Sequence, residues 1–302
     1  MIRKTAAFLF SAVVLISGLA FGQAILLDTN FQDVTQTNPF YSNIQLARRI
    51  GLAVPASLGP CINVPPGINP PVITPPSSGG TPSVTTACPY FGPDTFITRA
   101  EAAYWVVRSQ ADESQISNFL CATGGDPSGM SPGCPGFAAS TFVDLGVGGG
   151  SIINPFVGPN QALGVPGVTN AQLVRYIEVM ARRGYTKGCS GTVDTGRHFC
   201  PNDLLNRAQV AVFIVRAKMD NVFPTSLSGA IGAPVGDNFS VIPVPYFTDV
   251  QPNDPQWGQF YIYIQKLREL NITNGTSPTT YSPANTVTRK EIATFVVRAF
   301  FL

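Results

Sequence analysis

The chain repeats itself, and that constrains its fold more than any other feature. An aromatic residue, a proline two positions on and an arginine six further occur three times: Phe91, Pro93 and Arg99; Phe199, Pro201 and Arg207; Tyr281, Pro283 and Arg289. Each set reads as a turn followed by a helix start. Proline interrupts a preceding helix, and Thr98 with Glu101 and Thr288 with Glu291 have the spacing of a capping box, which Asn206 and Gln209 imitate. A second signal precedes each set, Phe-x-Asp followed by Val or Leu, at Phe31 to Val34, Phe142 to Leu145 and Phe247 to Val250. After each comes a helical pattern that closes on charged pairs, Arg48-Arg49, Arg182-Arg183 and Arg268-Glu269. Three copies of both signals in one order make an internal repeat.

These motifs resemble the surface-layer homology (SLH) domains, whose repeats run Phe-x-Asp-Val, helix, Gly-Ile-x-x-Gly, aromatic-x-Pro, then Ile-Thr-Arg-Ala-Glu. The third repeat matches nearly throughout and the first best at Phe96 to Glu101. The second departs most, with Asn206 and Gln209 for Thr and Glu. The resemblance implies a mainly α fold, three helix-loop-helix repeats about a pseudo-threefold axis. It also implies noncovalent binding of a cell-wall or envelope polysaccharide.

Residues 1–22 carry Arg3 and Lys4, an apolar run from Ala6 to Ala20 and the small residues Ala20 and Gly22, the pattern of a secretory signal peptide. The expected division is then repeat 1 at 29–115, a linker at 116–139, repeat 2 at 140–220, a linker at 221–244 and repeat 3 at 245–302. The first helix of repeat 1 is marked by Phe40, Ile44, Ala47 and Ile50. Its second starts at Thr98 and gives out near Ser114. Between them Gly51 to Thr86 is rich in Pro, Gly, Ser and Thr, a composition that suits a surface loop. Asp249 precedes Arg289 by 40 residues, against 66 and 63 for the first two pairs, and the excess lies in loops, where length costs little. A net charge of +2 argues against polyanion binding by bulk electrostatics, so nucleic acid is not an expected partner.

All six cysteines follow the apolar leader, an even number in an exported chain, which points to disulfides. The repeat suggests their pairing. Cys61 and Cys189 each follow a first helix, Cys88 and Cys200 each adjoin an aromatic-x-Pro turn, and so Cys61 pairs with Cys88, Cys189 with Cys200, and Cys121 with Cys134. Zinc is disfavoured because the cysteines are dispersed and His198 is the one histidine. The expectation is no metal and no cofactor.

Caps account for Thr98, Thr288, Asn206, Glu101, Glu291 and Gln209, but not for the arginines between them. A cation in a first turn faces the positive end of the helix dipole, at a cost of about 0.3–1 kcal/mol. Two readings of Arg99, Arg207 and Arg289 remain. They hold an anion together with the free helix amides, or they pair with Asp33, Asp144 and Asp249 of neighbouring repeats. In the family these arginines and aspartates line grooves that meet acidic sugars. Trp257 is a candidate stacking platform, although its helical spacing to Phe260 and Tyr261 also suits a core position. No catalytic residue is expected: a Ser-His-Asp site would need His198 oriented by a buried carboxylate, and Asp144 and Asp249 recur as repeat starts. The expected function is that of an exported surface-anchoring protein that binds an anionic envelope polymer. The alternative is a structural subunit of a surface assembly that binds protein.

Overall fold

The computed structural model describes residues 31–60, 87–134, 139–145, 147–148, 151–152, 168–192, 195–222 and 239–302. The expected signal peptide, Cys61 and most of the second linker lie outside them, so the Cys61–Cys88 pairing does as well. Within them the protein is mainly α-helical, with α1 at Tyr41–Arg49, α2 at Arg99–Arg108, α3 at Glu113–Ala122, α4 at Asn170–Arg182, α5 at Arg207–Val222, α6 at Tyr261–Glu269 and α7 at Arg289–Phe300. Two small antiparallel hairpins complete it: β1, Ser57–Pro60, pairs with β2, Ala87–Tyr90, and β3, Val147–Gly148, with β4, Ser151–Ile152.

Every residue of α2 from Arg99 to Val107 is buried, as expected of a helix that has neighbours on all sides. Helices α2, α5 and α7 touch one another at the centre. Each also carries an outer helix: α4 lies on α2, α6 on α5 and α1 on α7. In α4 every residue from Leu173 to Met180 is buried, Arg175 and Glu178 included, while Arg182 closes the last turn, where a cation meets the helix dipole favourably. Helix α1 likewise ends on Arg48 and Arg49 and stops at Gly51, whose φ of 75° suits a residue without Cβ.

The Phe-x-Asp signals serve the aromatic turns. Asp33 accepts the amides of Phe91 and Gly92 at 2.7 and 2.6 Å, Asp144 those of Phe199 and Cys200 at 2.9 and 2.7 Å, and Asp249 those of Tyr281 and Ser282 at 2.9 and 2.7 Å. The second residue of each turn has positive φ, 69° at Gly92, 56° at Cys200 and 58° at Ser282. For a non-glycine residue that conformation costs about 1–2 kcal/mol. Two charge-assisted hydrogen bonds at about 1.5–3 kcal/mol each outweigh it. The aromatics stack on the Phe of the same signal: Phe31 on Phe91, Phe142 on Phe199, Phe247 on Tyr281, with centroids 5.1–5.5 Å apart.

One expectation fails at residues 113–122. Sequence reasoning ends the second helix near Ser114 and makes 116–139 a linker. Instead α2 stops at Arg108 and a separate helix, α3, follows. Asp112 and Gln115 form a reciprocal capping box at its start, and Ile116 and Leu120 are buried. Helix α3 is pinned to α4 by Arg175, whose guanidinium pairs with Glu113 at 2.7 Å and Asp126 at 3.1 Å, and by the Tyr176 hydroxyl, which donates to Glu113 at 2.5 Å. Asp126 is fully buried and also accepts from Ser128 and Ser131, so the buried carboxylate has hydrogen bonds on both oxygens besides its cation.

Disulfides join Cys121 to Cys134 and Cys189 to Cys200, with Cα atoms 5.0 and 6.0 Å apart. Non-reducing peptide mapping should recover both linked pairs. A peptide that joins Cys88 to Cys200 would contradict the pairing.

Candidate functional site

The arginine that opens each central helix reaches across to the aromatic turn of another segment, and the three reaches form a closed circuit. Arg99 Nε donates to the Phe199 carbonyl at 2.7 Å, Arg207 Nε to the Tyr281 carbonyl at 2.8 Å, and Arg289 Nε to the Phe91 carbonyl at 2.8 Å. Each guanidinium lies over the ring it reaches, 4.9, 4.6 and 4.9 Å from the centroids. Such stacking exploits the planar, weakly hydrated guanidinium. All three residues are only 3% exposed.

The backbone follows the same circuit. The amides of Arg99 and Ala100 donate to Asp203 and Pro201, those of Arg207 and Ala208 to Asn285 and Pro283, those of Arg289 and Lys290 to Thr95 and Pro93. At the centre Ile97 donates to Val287, Val287 to Leu205 and Leu205 to Ile97, at 3.0, 2.8 and 3.2 Å. These bonds correct one expectation. The first amides of the helices are not free to share an anion with the arginines, because carbonyls of the adjoining turn already accept from them. That satisfies orphan helix donors without a ligand.

The expected Arg–Asp pairs also take another form. Both carboxylate oxygens of each Asp serve a turn. The aspartates meet the arginines only through those turns, Asp33 beside Arg289, Asp144 beside Arg99 and Asp249 beside Arg207. The acids that pair with arginine are Glu101 and Glu291. Arg289 Nη1 bonds the carboxylate of Glu101, and Arg207 Nη1 that of Glu291 at 2.6 Å. Arg289 Nη2 also donates to the Val54 carbonyl at 3.0 Å. Glu291 still completes its capping box, since its Oε2 accepts from the Thr288 amide at 2.9 Å while Oε1 meets Arg207. Glu101 instead turns Oε1 to Arg289 and to the indole of Trp105, at 3.4 Å from the latter. Burial raises its pKa, and Arg289 opposes that shift.

Arg99 differs. The position of Glu101 and Glu291 in the segment it reaches is Gln209, which caps α5 through Asn206. Nη2 of Arg99 is buried and has no hydrogen-bond partner, and no carboxylate of the described residues lies within ion-pairing distance. Its pKa falls to about 10, mainly through burial, with Asp203 and Asp144 opposing from farther away.

Trp257 keeps to its own segment. Its ring lies 6.0 Å from that of Phe260, its amide bonds Asp254, and it packs partly buried against the core. The recurrent Arg108, Arg216 and Arg298 serve structure: Arg108 donates to the Ala111 carbonyl, Arg298 to that of Ile272, and Arg216, buried within α5, to the Tyr263 hydroxyl. Sequence reasoning missed Glu101 and Glu291 as ion-pair partners because the capping box already explained them locally. Among the described residues no cluster of three metal-ligating side chains occurs, and no helix is long and apolar enough to cross a membrane.

Helix starts locked to aromatic turns, with buried cations at the junctions, define a scaffold of interlocked turn-and-helix units. The S-layer homology domain model matches residues 246–293, so that segment is similar to a family whose domains generally mediate cell-wall anchoring. No curated protein matches the chain.

Proposed function

We propose that the chain is an exported, noncatalytic protein of three SLH repeats about a pseudo-threefold axis. It holds an anionic cell-wall or envelope polysaccharide noncovalently and so attaches to the cell surface. The observation that carries this reading is the circuit of junctions. The parts found inside the matched segment, an Asp-clamped aromatic turn and an arginine-led helix, recur around Asp33 with Arg99 and around Asp144 with Arg207. Each repeat then supplies the turn that receives another repeat's arginine. The polymer meets Arg99, Arg207 and Arg289 in the grooves beside Asp144, Asp249 and Asp33, with Trp257 as an outlying platform.

A second reading, a structural subunit that binds protein, draws on Phe96 and Leu204, which are 48% and 47% exposed beside the central triangle of backbone bonds. Sedimentation of the full chain with purified envelope polysaccharide, and separately with protein extracted from the same envelope, decides between them. Salt-sensitive retention on the polysaccharide is the expected result. Retention on the protein fraction alone would overturn it.

A further inference from the structure

We propose that the cleft between the end of α2, helix α3 and the last turn of α4 binds a small amphiphile, a single alkyl chain that carries an oxygen-acceptor head such as a carboxylate. The cleft measures about 530 Å³, within the range of about 300–1,000 Å³ common for small-molecule sites, which are mostly apolar with a few polar groups. Its floor is formed by Val107, Ile116 and Val179, all buried. Contacts outside the cleft hold its walls in place. Arg175 and the Cys121–Cys134 disulfide fix α3 on one side, and Arg182 Nη1 donates to the Leu120 carbonyl and the Thr123 hydroxyl at 3.1 and 3.0 Å. Those contacts preform the cleft, so little has to be ordered when a ligand enters. It shares no residue with the three arginine junctions, and the inference is independent of the polysaccharide reading.

The polar groups around the floor select the head. Two of them are already engaged: Gln110 Nε2 donates to the Val106 carbonyl at 2.8 Å, and Thr123 Oγ1 to the Phe119 carbonyl at 2.7 Å. Three others can meet a ligand. Gln115 accepts from the Asp112 amide with its oxygen and keeps its NH2. Arg183 donates Nε to the Tyr185 hydroxyl and Nη2 to Asp220, which leaves Nη1. Asn118 is exposed and lines the cleft with its amide. The Gln115 and Arg183 groups are donors only, so a ligand atom that meets them has to accept. None of the described residues that line the cleft is acidic, and a cationic head therefore finds no counter-charge. The Arg183 guanidinium lies 5.7 Å from the centroid of the Phe119 ring, so the cation borders the apolar wall. Its pairing with the buried Asp220 tempers its pull on an anion. The chain accordingly supplies most of the affinity and the head sets its sense. A bare sugar fits less well, because the floor offers its hydroxyls no partners.

The test is isothermal titration calorimetry of the full chain with sodium octanoate, hexanoate and acetate and with octylammonium chloride, each below micelle formation and at equal ionic strength. The expected result is saturable binding of octanoate with a dissociation constant on the order of 1 mM. Hexanoate should bind about tenfold more weakly, the effect of two buried CH2 groups, and acetate not at all. Octylammonium should bind at least about tenfold more weakly than octanoate. Ala122→Trp, at an exposed position that lines the cleft, should fill it and abolish octanoate binding while the melting temperature is retained. Asn118→Asp, also exposed, replaces a donor by an anion and should weaken octanoate by at least about threefold without weakening octylammonium, so the proposal stays testable if the tryptophan variant does not fold. Equal affinities for octanoate and octylammonium, an affinity that does not fall with chain length, or undiminished octanoate binding in either folded variant would each overturn the proposal. So would the absence of saturation by roughly 10 mM octanoate.

Discussion

Replacement of Arg289 by alanine should destabilise the protein by about 3–5 kcal/mol, the cost of removing one partner from a buried ion pair. Both side chains of the Arg289–Glu101 pair are only 3% exposed. Without the guanidinium, Glu101 keeps only the 3.4 Å bond from Trp105, and the carbonyls of Phe91 and Val54 each lose a donor. Against a typical total of about 5–15 kcal/mol the loss is large. The same change at Arg99 strands no carboxylate and should cost clearly less. Glu101→Gln in the Arg289→Ala background should recover part of the deficit, because a neutral amide is cheaper to bury. The pH dependence has a definite sign. Burial already holds the Glu101 pKa above its ordinary value, and loss of Arg289 removes the opposing influence. The folded variant therefore prefers the protonated acid, and the penalty appears as pH rises from the ordinary glutamate value through the raised one. The deficit of Arg289→Ala should accordingly shrink on acidification. Urea denaturation of the two arginine variants at two pH values measures all of this, and equal, pH-independent losses at Arg289 and Arg99 would refute the ion-pair account.

Much of the architecture is legible in the sequence, because its signals are local. Phe-x-Asp, aromatic-x-Pro and the helix starts each lie within a few residues, and every one of them occupies a defined place: the Asp on a turn, the Pro buried, the helix beginning at the arginine. Partners across long separations are another matter. Glu101 and Arg289 are 188 positions apart, and the capping spacing gives Glu101 a complete local role that hides the distant one. The helix-dipole argument over Arg99, Arg207 and Arg289 identifies the residues that matter. For Arg207 and Arg289 the structure adds a carboxylate at contact distance, which outweighs a dipole cost of about 0.3–1 kcal/mol. Helix α3 was readable and was masked by its surroundings: Asp112 with Gln115 is a capping pair and Ile116, Phe119 and Leu120 share a face, but the Gly- and Pro-rich stretch that follows suggests a connector. The contrast between Gln209 and its counterparts is present in the sequence too. Its consequence for Arg99 needs the structure, which shows that the residue at this position answers to an arginine of another segment.

Those cross-segment partners make the parts interdependent, and deletion of residues 239–302 should therefore abolish cooperative folding of what remains. Helix α7 supplies the surface on which α1 packs, and α6 covers α5. Ile264, Leu267, Ile292, Phe295 and Val296 are all buried. At about 1.5–3 kcal/mol for each large buried side chain, the contribution of those five alone is comparable with the whole stability of a typical domain. The polar losses fall on the same junctions. Ile97 and Arg207 would lose the acceptors Val287 and Asn285, the Arg207 side chain would lose Tyr281 and Glu291, and Glu101 would lose its cation. A chain of independent repeats would behave differently, because truncation would then remove one repeat and leave the others nearly as stable. Circular dichroism during thermal denaturation separates the two cases. The truncated protein should show reduced helicity and no sigmoidal transition, and a cooperative melt near the full-length temperature would mean that the circuit of arginines and turns does not bind the three segments into one folding unit.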